Sequence, residues 1–255
     1  MKVAAIQHDV DWEDAKATCA RVEPMIAAAA GAGARLVVLT EMFSTGFTMA
    51  PERVGEPVDG YSATFLQEQA ANHGVWTCAS IPTVDPAIAR PVNRLLLCAP
   101  DGAVHHYDKI HPFSYGGEPD HYSAGDRFLT VDIEGLRTSF FVCYDLRFAD
   151  EFWRLATTTD CYVVPANWPE SRRHHWQSLL VARAIENQAY VVGVNRVGTG
   201  GTGGKLAYVG DSRIVDPLGE LVCSAAGTEA LLVGEVSPEH VAAVRDRFRF
   251  LPDRR

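Results

Sequence analysis

The chain has 255 residues, 47% of them hydrophobic and 22% charged, with a net charge of -9. That is long enough for one large domain or two small ones, and the acidic balance excludes a broad nucleic-acid or membrane-binding face, so a small-molecule partner is expected, with no nucleic acid and no membrane. Six scattered cysteines without a C-x-x-C pair signal neither a zinc site nor a disulfide framework, and no signal peptide or membrane span is legible, so the expected location is cytoplasmic.

Taken in order, residues 2–7 read as a first strand and residues 12–30 as a helix that Pro24 should kink or interrupt. Residues 35–39, with two valines and two leucines, form the next strand. Its continuous apolar character implies burial on both faces. Glu41 opens a glycine-containing loop over 42–49. A helix over 61–73 closes at Gly74, a usual C-terminal stop, and a strand follows over 75–81. Residues 92–99 and 103–107, joined by Pro100-Asp101-Gly102, make a β-hairpin. Residues 110–126 show no period. A loop of that length inside a domain is usually functional or disordered, and Phe113, Tyr115 and Tyr122 suit a pocket wall.

Strands over 128–133 and 136–142 lead into Cys143 and then a helix over 148–157. A buried strand over 161–165 ends at Asn167-Trp168-Pro169; the next helix carries Trp176, Leu179, Leu180 and Ala184 on one face and feeds a strand over 190–195. Gly198 to Lys205 invites a phosphate-loop reading, but Thr199 stands where glycine is needed and Leu206 where Ser or Thr is, so it reads as a flexible loop or lid. Strands over 212–216, 220–224 and 230–236 precede a last helix, capped by Ser237 with Pro238 at its first position. Strands alternating with helices and ending in a meander define an α/β fold, and with no linker or internal repeat one domain, 1–255, is expected.

The chemistry is placed where the apolar run Phe140-Phe141-Val142 stops at Cys143. A side chain at the end of a buried strand sits at the carboxyl edge of its sheet, and at an elbow there the thiol and the next backbone N–H groups face one crevice. Alone, Cys143 would read as a small buried hydrophobe, as the other five cysteines do. Two further strand ends carry a charge just past an apolar run, at Glu41 and at Lys109, and three such edges suggest one assembled site. Together, Cys143 would supply a nucleophile, Glu41 would take its proton, and Lys109 with the Tyr144 N–H would answer the charge built on the heteroatom of an attacked amide or nitrile. Glu41 would then protonate departing ammonia and activate the water that hydrolyses the thioester.

These residues resemble the nitrilase, or carbon-nitrogen hydrolase, superfamily along nearly the whole chain. The likeness rests on Leu39-Thr40-Glu41-Met42-Phe43, Tyr107-Asp108-Lys109, Cys143-Tyr144-Asp145-Leu146-Arg147-Phe148 and Asn167-Trp168-Pro169. It implies a four-layer αββα sandwich, a catalytic Glu41/Lys109/Cys143 triad, no metal or other cofactor, and a homodimer or higher homo-oligomer. A second glutamate that helps position the substrate in that family maps to Glu118. Ala182 to Gln188, Gly193 to Gly198 and Gly117-Glu118 are most similar to the omega-amidases, which act on 2-oxoglutaramate and 2-oxosuccinamate. Ala149-Asp150 departs from the Pro-Glu that many relatives carry there.

Tyr115 and Trp168 are assigned to the pocket wall, while Arg147 and Arg196 read as structural ion-pair partners. The cluster Arg172-Arg173-His174-His175 is either a reader of a dicarboxylate-like substrate or a solvated helix start. The resulting expectation is a cysteine amidase for a small carboxylate-bearing amide. Its rivals are a carbamoylase or aliphatic nitrilase, and, outside enzymes, a binding or redox-sensing protein on the same fold.

Overall fold

The apolar strands assemble into two sheets stacked face to face, in a computed structural model that describes residues 1–201 and 205–254. The first sheet holds β1 (Lys2–Gln7), β2 (Leu36–Val38), β3 (Glu56–Pro57), β4 (Trp76–Val84), β5 (Val92–Cys98), β6 (Val104–Asp108) and β14 (Ala230–Glu235), in the order β14-β1-β2-β4-β5-β6 with β3 beside β4. The second holds β7 (Thr130–Ile133), β8 (Leu136–Phe140), β9 (Cys161–Ala166), β10 (Tyr190–Asn195), β11 (Val197–Gly200), β12 (Leu206–Val215) and β13 (Leu221–Ala226), in the order β11-β12-β10-β9-β8-β7 with β13 beside β12.

Strand alternation sorts the side chains into layers. On the first sheet Val3, Ala5, Leu36, Val38, Leu95 and Leu97 join the core shared with the second sheet, whereas Ala4, Ile6, Val37, Leu39, Leu96 and Cys98 pack outward onto helices. Those helices are α1 (Ala15–Gly31), which turns Cys19, Val22, Ile26 and Ala29 inward, and α3 (Tyr61–His73). A single turn, α2 (Pro51–Val54), lies between them in sequence. The far face of the second sheet is covered by α5 (Ala149–Leu155) and α6 (Arg173–Asn187), the latter burying Trp176, Leu180 and Ala184. Each wholly buried large aliphatic side chain in these layers contributes roughly 1.5–3 kcal/mol. Gly193 on β10 permits the close approach of α6: a β-carbon there would lie 2.5 Å from Leu180 Cδ1 and 2.9 Å from Trp176. The last helix, α7 (Pro238–Arg247), starts as its sequence predicts, with the Ser237 hydroxyl accepting from His240 N at 3.2 Å. Among the described residues no helix is long and apolar enough to cross a membrane.

Most predicted elements stand within a residue or two, and Gly74 closes α3 in the left-handed conformation at φ 64°. Three differ. Helix α1 begins at Ala15, where Asp14 accepts from Ala17 N at 3.0 Å, and it runs through Pro24 without a break. Pro24 and Ala20, whose carbonyl loses its partner, both lie on the exposed face, so solvent can satisfy that carbonyl. The segment after Cys143 is a 3₁₀ turn, Cys143–Arg147, before α5 begins. Of the Gly198–Lys205 loop, the first residues extend β11 and pair with β12; residues 202–204 lie outside the described residues.

Strand direction decides what meets at the site. β2 runs parallel to β4; β5 is antiparallel to β4 and β6 antiparallel to β5, so β2 and β6 end on one edge and β5 begins there. β8 and β9 are likewise parallel. Glu41, Lys109, Cys143 and Asn167 therefore all lie just past the carboxyl ends of strands.

Candidate active site

Four charged or reactive side chains that sequence analysis singled out are brought together, and all are buried. Lys109 is central: its Nζ donates to Glu41 Oε1 at 2.9 Å and to Glu118 Oε2 at 2.8 Å, and it lies 5.1 Å from the centre of the Phe47 ring. Glu41 is held on both oxygens, Oε1 also accepting from Asn93 Nδ2 and Oε2 from the Asn167 backbone N–H, each at 2.9 Å. Glu118, on the short α4 (Glu118–His121), accepts from Asn93 Nδ2 at 3.1 Å and from the Phe113 N–H. It sits behind Lys109 and does not line the cavity.

Burial lowers the proton affinity of Lys109, but Glu118 and Glu41 outweigh it and hold the ammonium well above its ordinary range. Glu118 is shifted upward, chiefly by burial and by the nearby charge of Glu41, against the pull of Lys109. Burial, followed by the charge of Glu41, also pushes the Cys143 thiol up, with Lys109 and the Asn167 N–H opposing. The resting thiol is therefore protonated at neutral pH, and a nucleophilic role would need a base.

The turn that presents Cys143 is strained. Its φ is 46°, in the left-handed region that a residue with a β-carbon enters only when its surroundings compensate. The compensation comes from Asp145, fully buried, whose Oδ2 accepts from Val142 N at 2.9 Å and from the Tyr107 hydroxyl at 2.8 Å. Its Oδ1 accepts from His111 N at 2.9 Å. Asp145→Ala is expected to leave those donors buried and unpaired, at about 1–3 kcal/mol each. Denaturant unfolding measures that loss, and an unchanged midpoint would show that the turn is held by other contacts.

A cavity of about 240 Å³ opens onto Glu41, Lys109 and Cys143. Phe113 and Tyr144 meet edge to face at 4.9 Å on one wall, and Trp168, clamped by Asn195, which accepts from Trp168 N and donates to Trp168 O, forms another. Tyr115 also lines the mouth although it is 87% exposed. Tyr122 does not: it is buried elsewhere, its hydroxyl donating to Thr48 O at 2.9 Å. Tyr208, on β12, lines the cavity and was not foreseen, because its strand reads as starting only at 212.

The basic residues sort differently from expectation. Arg196 is a structural partner of Asp9, at 2.6 Å. Arg147 is not an ion-pair residue: among the described residues it has no carboxylate partner, and it lies over the Trp168 ring at 4.7 Å on the cavity wall. Of the 172–175 cluster, Arg173 pairs with Asp211 at 2.9 Å, while Arg172 faces the cavity over Phe113 at 5.4 Å, also without a carboxylate among the described residues.

Two stacked sheets sheathed in helices, with a carboxylate, an ammonium and a thiol gathered at their common edge, define an αββα sandwich of the nitrilase type. The chain belongs to the carbon-nitrogen hydrolase family, whose model matches residues 2–246, and is thus a hydrolase acting on carbon–nitrogen bonds other than peptide bonds. It is 36% identical to the omega-amidase YafV of Escherichia coli strain K12, covering 97% of this chain and 94% of that one. It is 32% identical to a 2-oxoglutaramate amidase of Bacillus subtilis strain 168, over 86% of this chain and 85% of the relative. A crystal structure of a CN-hydrolase superfamily protein from Xanthomonas campestris, bearing an arsenic adduct in its active site, superposes with a TM-score of 0.94 at 33% identity, covering 100% of this chain and 97% of that one.

Proposed function

We propose that the whole chain is one amidase domain that cleaves a small amide bearing a carboxylate, in the manner of 2-oxoglutaramate or 2-oxosuccinamate, to the acid and ammonia. The observation that carries this reading is the cavity itself, lined by Glu41, Lys109 and Cys143 and by the cations Arg147 and Arg172, which have no carboxylate partner among the described residues. Burial, with Arg172 adding to it and Tyr144 opposing, disfavours the charged form of Arg147. A substrate carboxylate would restore what the protein leaves uncompensated. Relatives named omega-amidase and 2-oxoglutaramate amidase support the same substrate class.

In this reading the Cys143 sulfur attacks the amide carbon as Glu41 takes the thiol proton. The oxygen of the tetrahedral adduct, now negative, is stabilised by the Lys109 ammonium and the Tyr144 N–H. Glu41 passes its proton to the nitrogen, the carbon–nitrogen bond breaks, and ammonia leaves a thioester. Glu41 then takes a proton from water, whose oxygen attacks the thioester; the carboxylic acid departs and the proton returns to Cys143. Glu118 acts through Lys109, fixing the ammonium from behind. Phe113, Tyr115, Tyr144 and Trp168 shape the space for the short carbon chain.

The test is ammonia release from 2-oxoglutaramate, glutamine, an N-carbamoyl amino acid and a simple nitrile. Release from 2-oxoglutaramate without carbon dioxide or amine supports the amidase reading, whereas carbon dioxide with an amine from the N-carbamoyl amino acid would replace it with a carbamoylase. Arg147→Leu is expected to raise KM for the carboxylate-bearing amide by about 10- to 100-fold, the worth of a charged hydrogen bond, with kcat little changed. An unaltered KM would remove Arg147 from carboxylate recognition.

A further inference from the structure

We infer that Asn93 is a positioning residue that locks the two buried carboxylates and the lysine of the site into one geometry, an inference that rests on the roles proposed above for Glu41 and Lys109. Asn93 is the second residue of β5, 1% exposed, and shares a face with Leu95 and Leu97. Its Nδ2 donates to Glu41 Oε1 at 2.9 Å and to Glu118 Oε1 at 3.1 Å, and its main-chain carbonyl accepts from Lys109 N at 3.0 Å. One neutral residue thus touches all three charged members behind the thiol.

The amide can be oriented only one way. Turned over, its oxygen would face two carboxylates, which could be tolerated only by protonating one of them. In the orientation that gives the two bonds, Oδ1 is buried with no partner among the described residues. An apolar residue of similar size would avoid that cost, so packing alone does not account for an asparagine here. What the amide adds is a pair of donors that bridges Glu41 to Glu118 and keeps Glu41 Oε1 turned toward Lys109, leaving Oε2 on the Asn167 N–H side.

The groups that set proton affinity around it are the Lys109 ammonium at the end of β6, the Cys143 thiol past β8, Glu118 with Tyr122 on the α4 side, and Tyr208 of β12. Removing the two donors leaves Glu41 on Lys109 and the Asn167 N–H, and Glu118 on Lys109 and the Phe113 N–H; Glu118, already shifted upward, should then hold its proton to higher pH and slacken its hold on Lys109. Asn93→Leu is therefore expected to lower kcat about 100-fold, as a misplacement of roughly 1 Å does, with KM little changed. The acid limb of the kcat/KM profile should move to higher pH. Asn93→Asp keeps the shape but needs a proton to donate, so its activity should survive on the acid side and fall as pH rises and that proton leaves.

Both variants are measured beside the wild type and Glu41→Gln, with thermal unfolding to check the fold. A loss of kcat with displaced pH limbs, over an inactive Glu41→Gln, supports the inference. Lost activity with unmoved limbs in both variants, or full activity in Asn93→Leu, overturns it while leaving the proposed triad intact. An active Glu41→Gln overturns the triad reading and this inference with it.

Discussion

Cys143→Ala should be folded, able to bind substrate, and inactive, with turnover reduced on the order of 10⁴- to 10⁶-fold. Folding is preserved because the strain at φ 46° is carried by the backbone and by Asp145, and alanine meets the same strain as cysteine. Binding is preserved because the cavity wall and its two cations do not involve the sulfur. The residual rate reports what the oxyanion donors do without a nucleophile. Glu41→Gln should fall nearly as far, since burial alone still holds the thiol up and the proposed base that would take its proton is gone. The double variant should be barely slower than either single one, because in the proposed mechanism the two side chains act as a unit. Mass analysis of the acid-quenched wild-type reaction should find the acyl group on the peptide holding Cys143. Turnover in Cys143→Ala within tenfold of wild type would rule out the covalent route.

The strand ends to which the chemistry is assigned were legible because a charge or thiol directly after an apolar run is a local pattern, and Glu41, Lys109 and Cys143 each show it. The resemblance supplied Glu118, which has no such local mark. Asn93 escaped although the predicted hairpin puts the start of β5 beside the end of β6: it is neutral, ends no apolar run, and the glutamates it bonds lie 52 and 25 positions away. Arg147 was misread for a related reason. It reads as a structural ion-pair partner, but the 3₁₀ turn over Cys143–Arg147 sets it over Trp168 on the cavity wall, a partner twenty-one positions away. Arg172 and Arg173 show the same limit, adjacent in sequence yet divided between the cavity and Asp211 at the point where the short helical turn gives way to α6. Tyr122 failed in the opposite sense: an aromatic in a long loop near a site looked like a wall, but its hydroxyl had a buried carbonyl, Thr48 O, to satisfy.

Lys109→Met removes the only cation bonded to two buried carboxylates among the described residues, and it should cost both activity and stability. Methionine nearly conserves the side-chain volume, so packing is not the main loss. With the ammonium gone, Glu41 and Glu118 keep the Asn93 amide but have no counter-charge, and breaking such a buried pair costs on the order of 3–5 kcal/mol. The sign with pH follows from linkage. In the wild type the folded pKa of Lys109 lies above its ordinary 10.5, so its stabilisation is complete below that value and is lost only as pH rises through the folded one. In the variant Glu118, already shifted upward and now without Lys109 to oppose the shift, binds its proton more tightly folded than unfolded, so stability is greatest in acid and falls as pH rises through its raised value. Thermal unfolding from pH 4 to 9 should show a variant that approaches wild type at the acid end and departs from it steadily above. Turnover should be down about 10³-fold or more even where the variant is well folded, because in the proposed mechanism the adduct oxygen loses its charged partner and keeps only the Tyr144 N–H. A folded variant with near-normal turnover would assign Lys109 to holding the carboxylates alone, and the stabilisation of the oxyanion would then have to come from the backbone of the turn that presents Cys143.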